Sequence, residues 1–116
     1  MGGPSVGLQL RGVAEALDAI EEIKSGFLPN GDGYVVGVGA EYGAYVELGT
    51  SQMRAQPYLF PAARRVLKQE FNRLEARANS TDDLLARLAT RIEAEARRNA
   101  PVDTGTLRAS IETYEV

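Results

Sequence analysis

The chain has no cysteine and no histidine. Without cysteine it can form no disulfide, thiolate metal site or cysteine nucleophile, and without histidine it lacks the commonest general base and metal ligand. Long apolar runs are missing too. The longest span only a few residues, far short of the roughly 20 that cross a bilayer, and the N-terminus has no basic region followed by an apolar segment. Nor is there a strong excess of charge. With 13 Lys and Arg against 16 Asp and Glu, the net charge of −3 gives none of the basic footprint of a phosphate-neutralising nucleic-acid binder. These absences close off much of ordinary enzymology and lead to the expectation of a soluble protein of cytosolic origin.

What is present is globular. A chain of 116 residues, 44% hydrophobic and 25% charged, predicts a single domain over 1–116 with one core. Val6, Leu8 and Leu10 alternate with small or polar neighbours, the period of a half-buried strand. From Val13 the period lengthens: Val13, Ala16, Leu17, Ile20 and Ile23 share one face of an amphipathic helix that Gly26 is placed to stop. Turn formers from Pro29 to Gly33 lead into a second strand, Tyr34 to Gly39, with strong β preference. Glu41 to Leu48 reads as a short helix or turn, and Gly49 to Gln56 as a loop.

Pro57 and Pro61 frame a helix start, because proline is tolerated in a first turn. Phe60, Ala63, Leu67, Phe71 and Leu74 then recur at three- and four-residue steps, predicting one long helix to about Ala78 with Phe60 and Phe71 in the core. Ser80 followed by Asp83 resembles a capping box and opens another helix, with Leu85, Leu88, Ala89, Ile92 and Ala96 as its buried stripe and Pro101 at its end. Leu107 to Val116 is expected to be the last strand. The order implies an α+β domain, a small mostly antiparallel sheet of three to four strands with two to three helices packed on one face. Such a sheet leaves edges that a neighbouring subunit, or a further strand around Leu48 to Ala55, could satisfy; protection by loops and charge would serve as well.

The candidate chemical motifs fail in turn. Gly37, Gly39 and Gly43 miss the dinucleotide-binding spacing by one residue, so they are expected to permit close backbone packing or a bend. Glu93 and Glu95 lie on different sides of a helix, and Glu41 and Glu47 are expected on solvated surface. Tyr42 and Tyr45 suit either an interface or, more commonly, a buried ring with a wet hydroxyl. Arg64, Arg65, Arg97 and Arg98 read as solvated helix faces. No cofactor and no metal is expected.

Two passages stand out. One runs from Tyr42 through Tyr45, Glu47, Gly49 and Thr50 to Gln56, Pro57, Tyr58 and Pro61; the other holds Pro101, Asp103, Thr104, Gly105, Leu107 and Arg108. Each mixes turn formers, cap formers and apolar anchors without a nucleophile, base or metal ligands, so both read as interface or structural motifs. Asp103 and Thr104 are placed to close a turn by side-chain to backbone hydrogen bonds, with Gly105 supplying a positive φ, and Glu47 and Thr50 to brace the other loop.

Together with Gly12 to Leu17 after the first strand, these runs resemble the tail-completion family of long-tailed bacteriophages, small proteins described as tail components, neck proteins or head-to-tail joining proteins. The resemblance implies a non-enzymatic structural virion protein, present in the host cytoplasm before assembly, that forms a hexameric ring at the head–tail junction. Its partners would be further copies of itself, the connector or head-completion protein, and the tail terminator or tail tube protein; no membrane and no specific nucleic-acid contact is implied, although DNA could pass through the ring. In the family's usual order the Pro-Val-Asp-Thr-Gly block precedes the Val-Glu-x-Gly-Thr block, whereas here it follows. A permuted chain keeps its fold when old ends and new breaks lie close together, which predicts that Leu107 to Val116 lies beside Tyr34 to Gly39. Two readings from other classes stand beside this one: a small prophage-encoded cytosolic dimeric binding or regulatory module, and a carboxylate-based hydrolase that would need two acids to converge in a cleft.

Overall fold

The computed structural model describes residues 4–10, 33–101 and 105–116. The helix expected from Val13, with Gly26 as its stop, the turn formers at 29–32, and the roles of Asp103 and Thr104 fall outside them. Strand β1 (Val6–Leu10) pairs antiparallel with β2 (Tyr34–Val38), which pairs antiparallel with β3 (Ile111–Glu115). This is a three-stranded antiparallel open sheet in the order β1-β2-β3, and with its helices the domain is α+β. Val38 stands opposite both Val6 and Ile111, and Tyr34 opposite both Leu10 and Glu115. The last strand therefore lies beside the strand that leads into the first motif passage, as the permuted order predicts.

Between β2 and β3 come α1 (Gly43–Leu48), α2 (Phe60–Gln69), α3 (Phe71–Arg77), α4 (Thr81–Asn99) and α5 (Thr106–Ala109). Helix α4 lies against β2 and β3, and α2 packs along α4. The predicted α4 stripe of Leu85, Leu88, Ala89, Ile92 and Ala96 is wholly buried, against Leu8, Val36, Val38 and Ile111 of the sheet layer and Ala62, Ala63 and Val66 of α2 within one cluster. At about 1.5–3 kcal/mol for each large aliphatic side chain removed from water, this stripe is a main source of stability. Its start is capped as expected: Ser80 Oγ accepts from Asp83 N–H at 3.0 Å, and the Asp83 carboxylate accepts from Asn79 N–H at 3.0 Å.

The structure departs from the periodicity in several places. The long helix expected from Phe60 to Ala78 is broken at Glu70, whose backbone (φ −122, ψ −5) leaves the helical region between α2 and α3. No proline or glycine marks the break. It coincides with a tertiary tie, because the Glu70 carboxylate accepts from Arg91 of α4 through Nε at 2.8 Å and Nη2 at 3.0 Å. Phe60 is exposed rather than core, its ring lying 4.4 Å from the Arg64 guanidinium, while Phe71 packs against the core. Leu107 begins no strand: Thr106–Ala109 is a helical turn, and β3 starts only at Ile111. No strand forms around Leu48 to Ala55, where irregular chain follows α1. Finally, β1 is not half-buried but buried along its whole length, Gln9 included at 1% exposure.

Candidate interaction site at one end of the sheet

Both motif passages gather at the end of the sheet where β2 finishes and β3 begins. Past Val38 the chain bends, with Gly39 N–H donating to Ser110 O at 2.9 Å and Ser5 Oγ donating to Ala40 O at 2.6 Å. Gly43, the first residue of α1, is pressed into this corner. A Cβ there would stand 2.5 Å from Val38 Cγ1 and 3.0 Å from the Tyr58 hydroxyl, so its lack of a side chain is a packing requirement. Gly37 likewise lies under Pro4, 2.8 Å from where its Cβ would be. These glycines serve close approach, as the failed dinucleotide spacing suggests.

Glu47 organises the first passage. Expected on solvated surface, it is buried, at 4% exposure, because its carboxylate meets the chain that enters α2. Oε1 accepts from Tyr58 N–H at 2.8 Å and Leu59 N–H at 2.8 Å, and Oε2 accepts from Phe60 N–H at 3.1 Å. These are main-chain donors at and just before a helix N-terminus, where unpaired N–H groups and the helix dipole favour an anion. Leu59, at the cap position, has no side chain able to do this, and α1 supplies the cap from 12 residues earlier.

Tyr58 closes the same corner. Its ring is fully buried and its hydroxyl donates to Gly43 O at 2.9 Å; burial first, and the nearby Glu47 carboxylate second, hold its proton well above the ordinary tyrosine range. Pro57, just before it, is exposed, and Pro61 sits within the first two positions of α2.

The loop between these anchors is pinned at both ends. Gly49 takes a left-handed φ of 78° as α1 stops, and a Cβ on it would lie 2.9 Å from Ala55 N. Thr50 exchanges main-chain hydrogen bonds with Met53, its Oγ1 accepts from Gln52 N–H at 3.1 Å, and Gln56 N–H donates to Val46 O at 2.8 Å. On this frame Ala44 faces the core and Val46 packs against it, while several larger apolar groups of α1 and the loop stay exposed. Tyr42 is 40% exposed, Tyr45 56%, Leu48 49% and Met53 37%, so neither of the first two tyrosines buries its ring as expected. The carboxylate is thus hidden beneath and the aromatic groups are displayed above.

The second passage is simpler. Helix α4 ends at Asn99, Pro101 follows, and Gly105 has a φ of 82° with open space where a Cβ would be. Leu107 is buried, whereas Arg108 is exposed. Arg97 is not merely solvated: its guanidinium donates to Ile111 O at 2.7 Å and pairs with Glu93 at 3.0 Å, tying the end of α4 to the start of β3. Glu95, also buried, lies 3.6 Å from Arg65 and 3.9 Å from Arg98.

Among the described residues no group of acidic side chains could hold a metal ion, and no helix is long and apolar enough to cross a membrane. The burial of Glu47 was not legible in the sequence, although an acid in α1 ahead of a helix start lacking a cap former was its available signal.

The family model "Bacteriophage HK97-gp10, putative tail-component" matches residues 65–115. No curated protein and no solved structure matches the chain. The matched run takes in the second half of α2, then α3, α4, the Pro101 to Leu107 passage, α5 and all of β3, and it stops short of the Tyr42 to Pro61 passage. Over this segment the chain is similar to the phage tail-component family that its motifs resemble.

Proposed function

We propose that the protein is a non-enzymatic structural component of a phage virion that assembles as a hexameric ring at the head–tail junction, joining the connector to the tail. The observation that carries this reading is the outward set of Tyr42, Tyr45, Leu48 and Met53 on a frame fixed by the buried Glu47. Exposed apolar groups on a rigid support suit protein contact, since little ordering entropy opposes association. The family match supplies the setting, a virion tail component. Permutation of the motif blocks accounts for the match covering one passage and not the other, because a collinear comparison can follow only one block at a time.

The test is assembly. Mixed with the connector and tail proteins of its own phage, the purified protein should form rings in negative stain with the mass of six copies, and heads and tails lacking it should remain separate until it is added. Heads and tails that join equally well without it would overturn the reading.

A further inference from the structure

From Leu48 to Gln69 the molecule carries a charge pattern of its own. Arg54, Arg64, Arg65 and Lys68 are exposed there, and no acid occurs between Glu47 and Glu70. Glu47 is buried and already engaged by three main-chain donors, so it does not offset these cations at the surface. Among the described residues Arg54 and Arg64 have no ion pair; Arg64 lies over the exposed ring of Phe60, and Tyr45, Leu48 and Met53 stand out on the same end of the molecule. Glu41, beside α1, and Glu75, in α3, are the exposed acids that flank this stretch.

A complementary surface lies around β3, an edge strand of the sheet among the described residues. Glu112 and Glu115 are exposed, interleaved with Tyr114 at 38% and Val116 at 41%. Asp82 and Asp83, in the first turn of α4, add charge where β3 ends. Tyr34 donates its hydroxyl proton to Asp82 at 3.0 Å, and that bond, with the charges of Asp82, Glu115 and Asp83, holds the proton above its usual range. Arg77 and Arg87 stand nearby, Arg87 being paired with Asp83 at 2.9 Å.

Most of the acidic surface lies apart from the basic one within one copy. The loop and the start of α2 lie by the end of α4, whereas Glu115, opposite Tyr34, and Asp82 lie by its beginning; most of a 19-residue helix separates them, on the order of 20–28 Å, beyond a screening length of about 8–10 Å. Glu112, next to Ile111 at the start of β3, lies nearer the loop. Pairing of β3 with β3 of another copy would gather their exposed glutamates in one ribbon, which like-charge repulsion disfavours. We propose that the basic, apolar-studded surface of one copy, centred on Tyr45, Met53, Arg54 and Arg64, docks on the acidic β3 edge of a second copy. The contact is heterologous, the kind that closes into a ring when its rotation allows. It rests on the ring reading above and names the two faces that meet.

The test uses two charge-reversed chains, one with Arg54→Glu and Arg64→Glu and one with Glu112→Lys and Glu115→Lys, each checked for folding by circular dichroism and melting. Mass is followed by light scattering over a concentration and NaCl series. The wild type should self-associate and weaken as salt rises; each reversed chain alone should associate at least tenfold more weakly; an equimolar mixture, whose faces are complementary only between unlike chains, should recover the loss. Should a reversed chain fail to fold, Arg54→Gln with Arg64→Gln, or Glu112→Gln with Glu115→Gln, takes its place and should weaken assembly in the same direction. A wild type that assembles while folded variants assemble just as well overturns the proposal and leaves the ring reading standing. Variants that fail alone and are not recovered by mixing also overturn it. A wild type that stays monomeric throughout the series overturns the proposed docking and leaves the ring reading to its own test with the connector and tail proteins.

Discussion

The two motif passages reach the same end of the sheet by different means. The first is held by a side chain: Glu47 reaches from α1 to three main-chain donors at the entrance to α2 and cannot be seen from outside. The second is described by its backbone, a left-handed Gly105 with nothing within 4 Å of a would-be Cβ. One turn is fixed by what fills the space around it, the other by what the chain itself can adopt. The difference predicts that the first will be far less tolerant of change.

The largest effect should come from Glu47→Ala, which strips a buried acceptor from three donors. A loss of about 3 kcal/mol or more is expected, since each buried donor left unpaired costs on the order of 1–3 kcal/mol. Glu47→Gln, which keeps one acceptor oxygen, should lose less. Urea unfolding measures both, and an unchanged midpoint for Glu47→Ala would break the comparison at its stronger limb.

The glycines sharpen it. Gly49→Ala should combine left-handed strain with a contact of 2.9 Å against Ala55 N, for roughly 2–3 kcal/mol in all. Gly105→Ala meets open space and should show the strain alone, about 1 kcal/mol. A β-branched residue at Gly105 should cost more than alanine through its backbone preference. Equal melting temperatures for the two alanine variants would mean that packing around Gly49 contributes nothing.

A smaller effect is expected at Glu70, a carboxylate held by side chains rather than main chain. Its hydrogen bonds to Arg91, and then the Arg91 and Arg73 charges, keep its proton off below the usual carboxylate range. A folded-state pKa lowered in this way contributes stability above the unfolded-state value, and that contribution fades as pH falls through the folded one. Glu70→Gln should therefore cost about 1 kcal/mol near neutrality and progressively less as the solution is acidified below about pH 4.5. A pH-independent difference in stability would show that the tie acts by shape and not by charge.

Much of the fold was legible because periodicity carries it. The α4 stripe and its Ser80 cap followed from spacing, since burial there is decided by which face a residue occupies, and β2 followed from the β preference of its residues. The break at Glu70 was not legible because its partner Arg91 is 21 residues away and no local breaker marks it. Phe60 was misplaced for a related reason: at the very start of a helix the period continues past the edge of the core. At the site, sequence named the loop, its glycines and its tyrosines and placed Glu47 and Thr50 to brace it, as their hydrogen bonds do, but gave Glu47 to solvent. An acid is ordinarily exposed, and only the tertiary approach of an uncapped helix N-terminus makes burial favourable.

The pairing of β2 with β3 also bears on how the chain is made. Val38 and Ile111 are partners in the sheet, yet roughly 70 residues separate them along the chain, a long-range closure of the kind that slows folding. During synthesis β2 emerges well before the strand that covers its open side. Until Ile111 leaves the ribosome, the sheet lacks its third member, and the acidic edge proposed to receive a neighbour does not yet exist. On the proposed docking, assembly through that edge would be reserved for chains translated through β3, so a copy truncated before it could present the basic face but not the surface that receives it.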